Sequence, residues 1–181
     1  MTIIDVVVFG CTIEQVVGGG VLKTGQTTFF QTGDDGDLEL GTARSYTDNG
    51  VTITDNATGL EWEKLTDDGT IHDKDNNYTW ADAFAKIAAL NTSSCFAGHC
   101  DWRLPNVNEL QTLADYGLVS PAIDPAFNNG TDSFTQSSFY SSSTTYAGFT
   151  STAWIVDFSA DVVGTGFKTS NFLVRAVRDG S

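Results

Sequence analysis

Apolar and polar residues alternate along Val51-Thr52-Ile53-Thr54-Asp55 and again along Gly59-Leu60-Glu61-Trp62-Glu63-Lys64, the two-residue period of half-buried strands. Leu60 and Trp62 share one face, and the two runs predict a hairpin. The period then changes. Trp80, Phe84, Ile87 and Leu90 recur at helical spacing through Ala83, Ala85, Ala88 and Ala89, and Thr79 followed by Asp82 supplies an N-cap. A second helix is expected after Asp101-Trp102-Arg103-Leu104-Pro105. Asn106 is its cap, Glu109 the reciprocal capping partner, Leu110 and Leu113 face inward, and Gly117 ends it. Trp102 and Leu104 lie on the core side of a short extended lead-in. Beyond Pro121 and Pro125 the pattern is β-like, through Phe139–Ser143, Ala153–Phe158 and Phe172–Arg178. Two helices thus precede a strand-rich C-terminal half, an α+β chain.

The first 22 residues stand apart. An apolar run, Ile3-Ile4-Asp5-Val6-Val7-Val8-Phe9-Gly10, precedes Cys11 and the Gly-rich Gly18-Gly19-Gly20. That order resembles the end of a bacterial lipoprotein signal with Cys11 as the lipidation site. However, Asp5 interrupts the run and no Lys or Arg precedes it, so an ordinary first strand is the competing assignment. Residues 1–22 are therefore expected to be a strand or anchor with a linker, and 23–181 one compact domain. No segment approaches the ~18 apolar residues needed to cross a bilayer.

Composition narrows the partners. The 181 residues are 40% hydrophobic and carry 23 acidic against 9 basic side chains, a formal net charge of −14. Such a charge repels phosphate backbones and anionic membranes, which excludes nucleic acid as an expected partner. Acidic turn-forming stretches occur at Thr32–Asp37, Asp67–Gly69 and Asp73–Asn77. Calcium is conceivable at the first, but EF-hand spacing is missing, so solvated acidic turns are expected and no cofactor is assigned. Cys95 and Cys100 are spaced for a small disulfide-closed loop. Two free thiols, or a metal site with His99, are the alternatives. His72 and His99 are the only histidines, and neither has a nucleophile context.

Thr47-Asp48-Asn49-Gly50, Thr54–Trp62, Asp101-Trp102-Arg103-Leu104-Pro105, Glu109-Leu110 and Val174-Arg175-Ala176-Val177-Arg178 together resemble the C-terminal domain family of a bacterial collagen-like adhesin, over residues 23–178. The resemblance implies a C-type-lectin-like fold, two helices flanking an irregular antiparallel sheet. It also extends to formylglycine-generating enzymes, whose reactive cysteine pair only Cys95 and Cys100 could replace. Taken physically, Trp102 and Leu104 fill the core, Pro105 fixes the approach to the helix, and Arg103 either satisfies buried carbonyls or pairs with a carboxylate such as Glu109.

The family's C-terminal frame is kept here as Trp154, Val156, Phe158, Val162, Lys168, Val174, Arg175, Val177 and Arg178, with chemically mixed residues between. Relatives include proteins diversified by retroelements that mutate asparagine codons, and the intervening residues are all reachable from such codons. Strand alternation places Trp154, Val156 and Phe158 inward and Ile155 and Asp157 outward. The expected contact residues are Tyr146, Phe149, Ile155, Asp157, Asp161, Val163, Thr165, Phe167, Thr169, Asn171 and Phe172.

The expectation is a bacterial binding domain, secreted or displayed on a cell or phage surface, without enzymatic activity or a membrane span. Its ligand would be a protein or carbohydrate, and the charge of −14 disfavours a sulfated glycan. The alternatives are a formylglycine-generating-type oxidase using Cys95 and Cys100, and a structural module that trimerises a fibre.

Overall fold

Two sheets meet where the largest apolar side chains converge. The computed structural model describes residues 4–8, 11–15, 20–92 and 94–180. The N-terminal apolar run forms β1 (Ile4–Val8), which pairs antiparallel with β2 (Cys11–Gln15) in a two-stranded sheet of its own. Gly18 and Gly19 of the connector lie outside the described residues. The acidic run expected to be a loop winds partly into a helical turn, α1 (Asp35–Leu38), because the Asp34 side chain accepts from the Asp37 N–H.

The predicted hairpin is β4 (Thr52–Asp55) and β5 (Leu60–Glu63), antiparallel with Ile53 opposite Trp62. The Asp55 carboxylate fixes the turn by accepting the N–H groups of Ala57 at 2.9 Å and Thr58 at 3.2 Å. With β3 (Tyr46–Asp48) and a last strand at Val177–Asp179 they make a four-stranded sheet, which the last strand joins beside β5. The second sheet has five strands. In spatial order these are β6 (Asn77–Tyr78), β10 (Phe172–Leu173), β7 (Phe139–Thr145), β8 (Thr152–Asp157) and β9 (Val162–Phe167), which leaves Val177–Asp179 as β11. Phe172–Arg178, expected as one strand, is thus β10 and β11, separated by Val174-Arg175-Ala176.

Between the sheets lies the main core: Ile53, Trp62 and Leu65 from one side, Tyr140, Val156, Phe158 and Leu173 from the other. Leu110 and Leu113 close it from α3 (Val107–Gln111) and the residues just after it. The capping box is as expected, Asn106 and Glu109 each bonding the other's backbone N–H. The helix stops well before Gly117. A second core unites Ala83, Ile87 and Leu90 of α2 (Trp80–Leu90) with Trp102, Leu104, Val174 and Ala176. The inward face of α2 therefore runs through Ala83, Lys86, Ile87 and Leu90, while Phe84 is exposed. The molecule is a mixed α+β domain, richer in strand than in helix.

Candidate functional site

The register of β7, β8 and β9 decides which C-terminal residues can meet a ligand. Tyr140, Val156 and Val163 are opposite one another and face the main core, whereas Ser141, Ile155 and Gly164 share the other face. Ile155 does point away from the core, as alternation requires. It is nevertheless only 6% exposed, because the Phe172 ring lies across that face. A Cβ on Gly166 would sit 2.4 Å from Phe172 Cζ and 3.3 Å from Ile155 Cδ1, so glycine there makes room for the ring.

Four of the expected contact residues stand instead in packing or turn positions. Ile155 is a covered packing residue. Asp157 is buried, with Oδ1 accepting from the Ser159 N–H at 2.8 Å and hydroxyl at 2.6 Å, which fixes the β8–β9 turn. Val163 is half-buried against the main core. Phe172 is half-buried over Ile155 and meets Phe139 edge-to-face at 6.2 Å. Asp161 takes φ 55° at the head of β9, and its Oδ1 is buried without a partner. Desolvation, with the Asp115 and Asp157 carboxylates, pushes its pKa up to about 6.

Tyr146, Phe149, Thr165 and Phe167 gather at one end of the five-stranded sheet. Tyr146 stands edge-to-face on half-buried Trp154, with centroids 5.3 Å apart, and Phe149 stands edge-to-face on Phe167 at 6.2 Å. Phe149 is 55% and Phe167 57% exposed, and Tyr146 is also exposed. Thr165, Thr169 and Asn171 lie exposed along β9 and the turn after it. Backbone bonds shape the loop that carries Tyr146 and Phe149: Tyr146 N–H to Thr152 O at 3.1 Å, Thr152 N–H to Phe149 O at 2.9 Å, and Lys168 N–H to Ser151 O at 2.9 Å. Lys168 braces this end against α2, its ammonium 4.0 Å from the Trp80 ring centroid and 2.8 Å from Thr145 Oγ1. Residues 133–156 contain no Asp, Glu, Lys or Arg, and residues 162–174 only Lys168. The stretches that build this aromatic tip thus carry no carboxylate, although the domain as a whole is strongly acidic.

The charged residues elsewhere are tied to scaffold. Glu63 is fully buried and receives Lys86 Nζ at 2.8 Å, His72 Nδ1 at 2.7 Å and the Ala176 N–H at 2.8 Å. Burial alone would raise its pKa, but Lys86 and these hydrogen bonds hold it down at about 2. Arg175 is buried and donates to the carbonyls of Glu63 and Phe134 and to Thr135 Oγ1. Arg103 grips Glu109 with two bonds, at 2.7 and 2.8 Å, and Arg178 joins Asp101 and Glu61. The Glu63–Lys86 pair was not anticipated, although a lysine on the apolar stripe of α2 is the signal that marks it.

Cys95 and Cys100 form a disulfide that closes a loop around Phe96. Phe96 packs between His72, at 4.2 Å, and Trp102, at 5.0 Å, so the loop caps the second core. Among the described residues, Asp67, Asp73 and Asp75 bring carboxylate oxygens within 4.8 Å of one another. Lys74 already bridges two of them, 3.0 Å from Asp67 and 3.1 Å from Asp75. Asp73 accepts the N–H groups of Gly69 and Asp75. The carboxylates of Asp34 and Asp37 likewise accept from nearby backbone N–H groups.

Fold and site together define a disulfide-closed α+β domain with an aromatic tip on its C-terminal sheet. The chain belongs to the Lcl C-terminal domain family, whose sequence model matches residues 51–178. Membership identifies it as an adhesin-like domain. No curated protein matches the chain. No helix among the described residues is long and apolar enough to cross a membrane.

Proposed function

We propose that this domain is a surface-displayed binding module of C-type-lectin-like fold that holds a macromolecular ligand at the tip formed by Tyr146, Phe149, Thr165 and Phe167, with Thr169 and Asn171 at its margin. One observation carries this: paired aromatic rings stand exposed on stretches of chain, residues 133–156 and 162–174, that carry no carboxylate, in a domain of net charge −14. Rigid aromatic anchors ringed by small hydroxyl and amide groups are the chemistry of paratopes and interface hot spots. A C-type-lectin-like fold fits the make-up of the domain, two helices beside largely antiparallel sheets. The disulfide suits an oxidising, extracellular setting. On this reading the domain performs no covalent chemistry, and its tip is diversified by a retroelement.

Attachment of cells displaying the domain to the host surface it colonises tests the function. Phe149→Ser together with Phe167→Ser should lower attachment about tenfold or more, the loss of two aromatic anchors. The melting temperature should be unchanged, because neither side chain belongs to a core. Unaltered attachment by a folded double variant would refute the assignment.

A further inference from the structure

The five-stranded sheet ends in an open edge. β9 is its outermost strand, continuously paired with β8 from Thr152 opposite Phe167 to Asp157 opposite Val162. In an antiparallel strand every second residue turns its N–H and C=O away from the neighbour. On the far side of β9 no backbone group of residues 162–166 hydrogen-bonds to any other described residue. The other edges of the two main sheets are protected. β6 is two residues long, β3 is three and ends in Asp48, whose carboxylate holds Lys64 at 2.7 Å, and β11 is covered where Val177 and Arg103 exchange two backbone bonds. β9 has six residues, Val162-Val163-Gly164-Thr165-Gly166-Phe167, with neither charge nor proline. Natural edges are normally blunted by just those devices, so an edge lacking them is poised to pair.

Charge selects the occupant. A second copy would bring another −14 against this one, whereas a segment with basic flanks is attracted by the acidic domain and meets no charge on β9 itself. Side chains on both faces provide seats for an alternating strand: the Phe149–Phe167 pair on one and exposed Val162 on the other. We propose that β9 is a docking edge that takes an extended, uncharged segment of a partner protein, flanked by basic residues, as a sixth strand. The proposal rests on the tip being the ligand surface and specifies how a protein ligand engages it, through main-chain pairing beside the aromatic rings.

The probe is a synthetic peptide of alternating valine and threonine with lysines at both ends, together with two versions in which one or the other alternate set of amides is N-methylated. Fluorescence anisotropy should show saturable binding of the parent, with slowed hydrogen exchange at β9 amides. One N-methylated version should bind normally and the other about tenfold or more weakly, since only one edge of the peptide faces β9. Val162→Lys and Thr165→Lys, both at exposed positions, should each weaken the parent while leaving the fold intact. Absence of binding, equal binding of the two methylated versions, or protection confined to other strands overturns the proposal. So does concentration-dependent protection of β9 without peptide, which would make a second copy the occupant. If Phe149→Ser and Phe167→Ser abolish attachment while β9 ignores every peptide, the tip assignment stands and only this inference fails.

Discussion

Replacing Glu63 tests whether the buried ion pair holds the two cores in register. Glu63 and Lys86 have side chains 0% and 1% exposed and lie 2.8 Å apart. Glu63→Gln leaves Lys86 as a buried ammonium without a counter-charge, facing only neutral acceptors such as the Val174 carbonyl at 3.2 Å. Removing one partner of a buried pair costs about 3–5 kcal/mol, the penalty being the charge left behind. In a domain of this size that lowers the melting temperature by on the order of 10 °C. Glu63→Gln combined with Lys86→Met removes both charges and should recover most of the loss, giving a coupling energy of about 2 kcal/mol or more in a double-mutant cycle. The acid limb offers a second readout. The folded pKa of about 2 lies below the ordinary 4.5, so the stabilisation is complete above the unfolded pKa and disappears as pH falls toward 2. Glu63→Gln should flatten that part of the stability profile measured by urea unfolding. Additive single variants each costing under about 1 kcal/mol would refute the reasoning, because a pair that weak is not desolvated.

Asp161 behaves oppositely. Its folded pKa, raised to about 6, means that the protonated form is favoured, so the group's contribution is full at low pH and lost as pH rises through 6. Because the side chain is partly solvated, Asp161→Asn should gain only about 1 kcal/mol at pH 8, a rise of roughly 2–4 °C in calorimetry, and little at pH 4. Asparagine tolerates the positive φ there. Cys95→Ser removes a disulfide spanning a separation of five residues and should cost about 2 kcal/mol by chain entropy, read by thermal unfolding. Ligand attachment should survive at temperatures where the variant is folded. Copper-dependent thiol oxidation by the wild type that Cys95→Ser abolishes would instead favour an oxidase.

How much could be read from the residues alone followed from how local each signal was. Both helices and the β4–β5 hairpin were legible because caps, turns and periodicity act over a few residues: Thr79, Asn106 with Glu109, and Ile53 opposite Trp62. Arg103 with Glu109 was legible for the same reason. Lys86 was not, since its partner Glu63 lies on β5, far away in the sequence. The C-terminal surface was half legible. Alternation gave the correct side for Ile155, but only the return of β10 places Phe172 over it, and a two-residue period carries no information about such a lid. The shift from one expected strand at Phe172–Arg178 to two has a similar cause, because buried Arg175 must reach the Glu63 and Phe134 carbonyls.

This division of the C-terminal residues limits which of them can change without cost. Tyr146, Phe149, Thr165, Phe167, Thr169 and Asn171 belong to neither core, and substitution there alters the tip alone. Ile155, Val163 and Phe172 are packing positions, and Asp157 holds the β8–β9 turn, so polar or oversized replacements there cost about 1–3 kcal/mol each. If the gene's 3′ end is diversified from a template repeat, tolerated variants should therefore be unrestricted at the six tip positions yet biased toward apolar residues at 155, 163 and 172. Sequencing the variants that remain folded and displayed measures this directly. Equal freedom at all eleven candidate positions would mean that the Phe172–Ile155 lid does not constrain the sheet, whereas a filter at those four would show the fold itself confining diversity to the exposed tip.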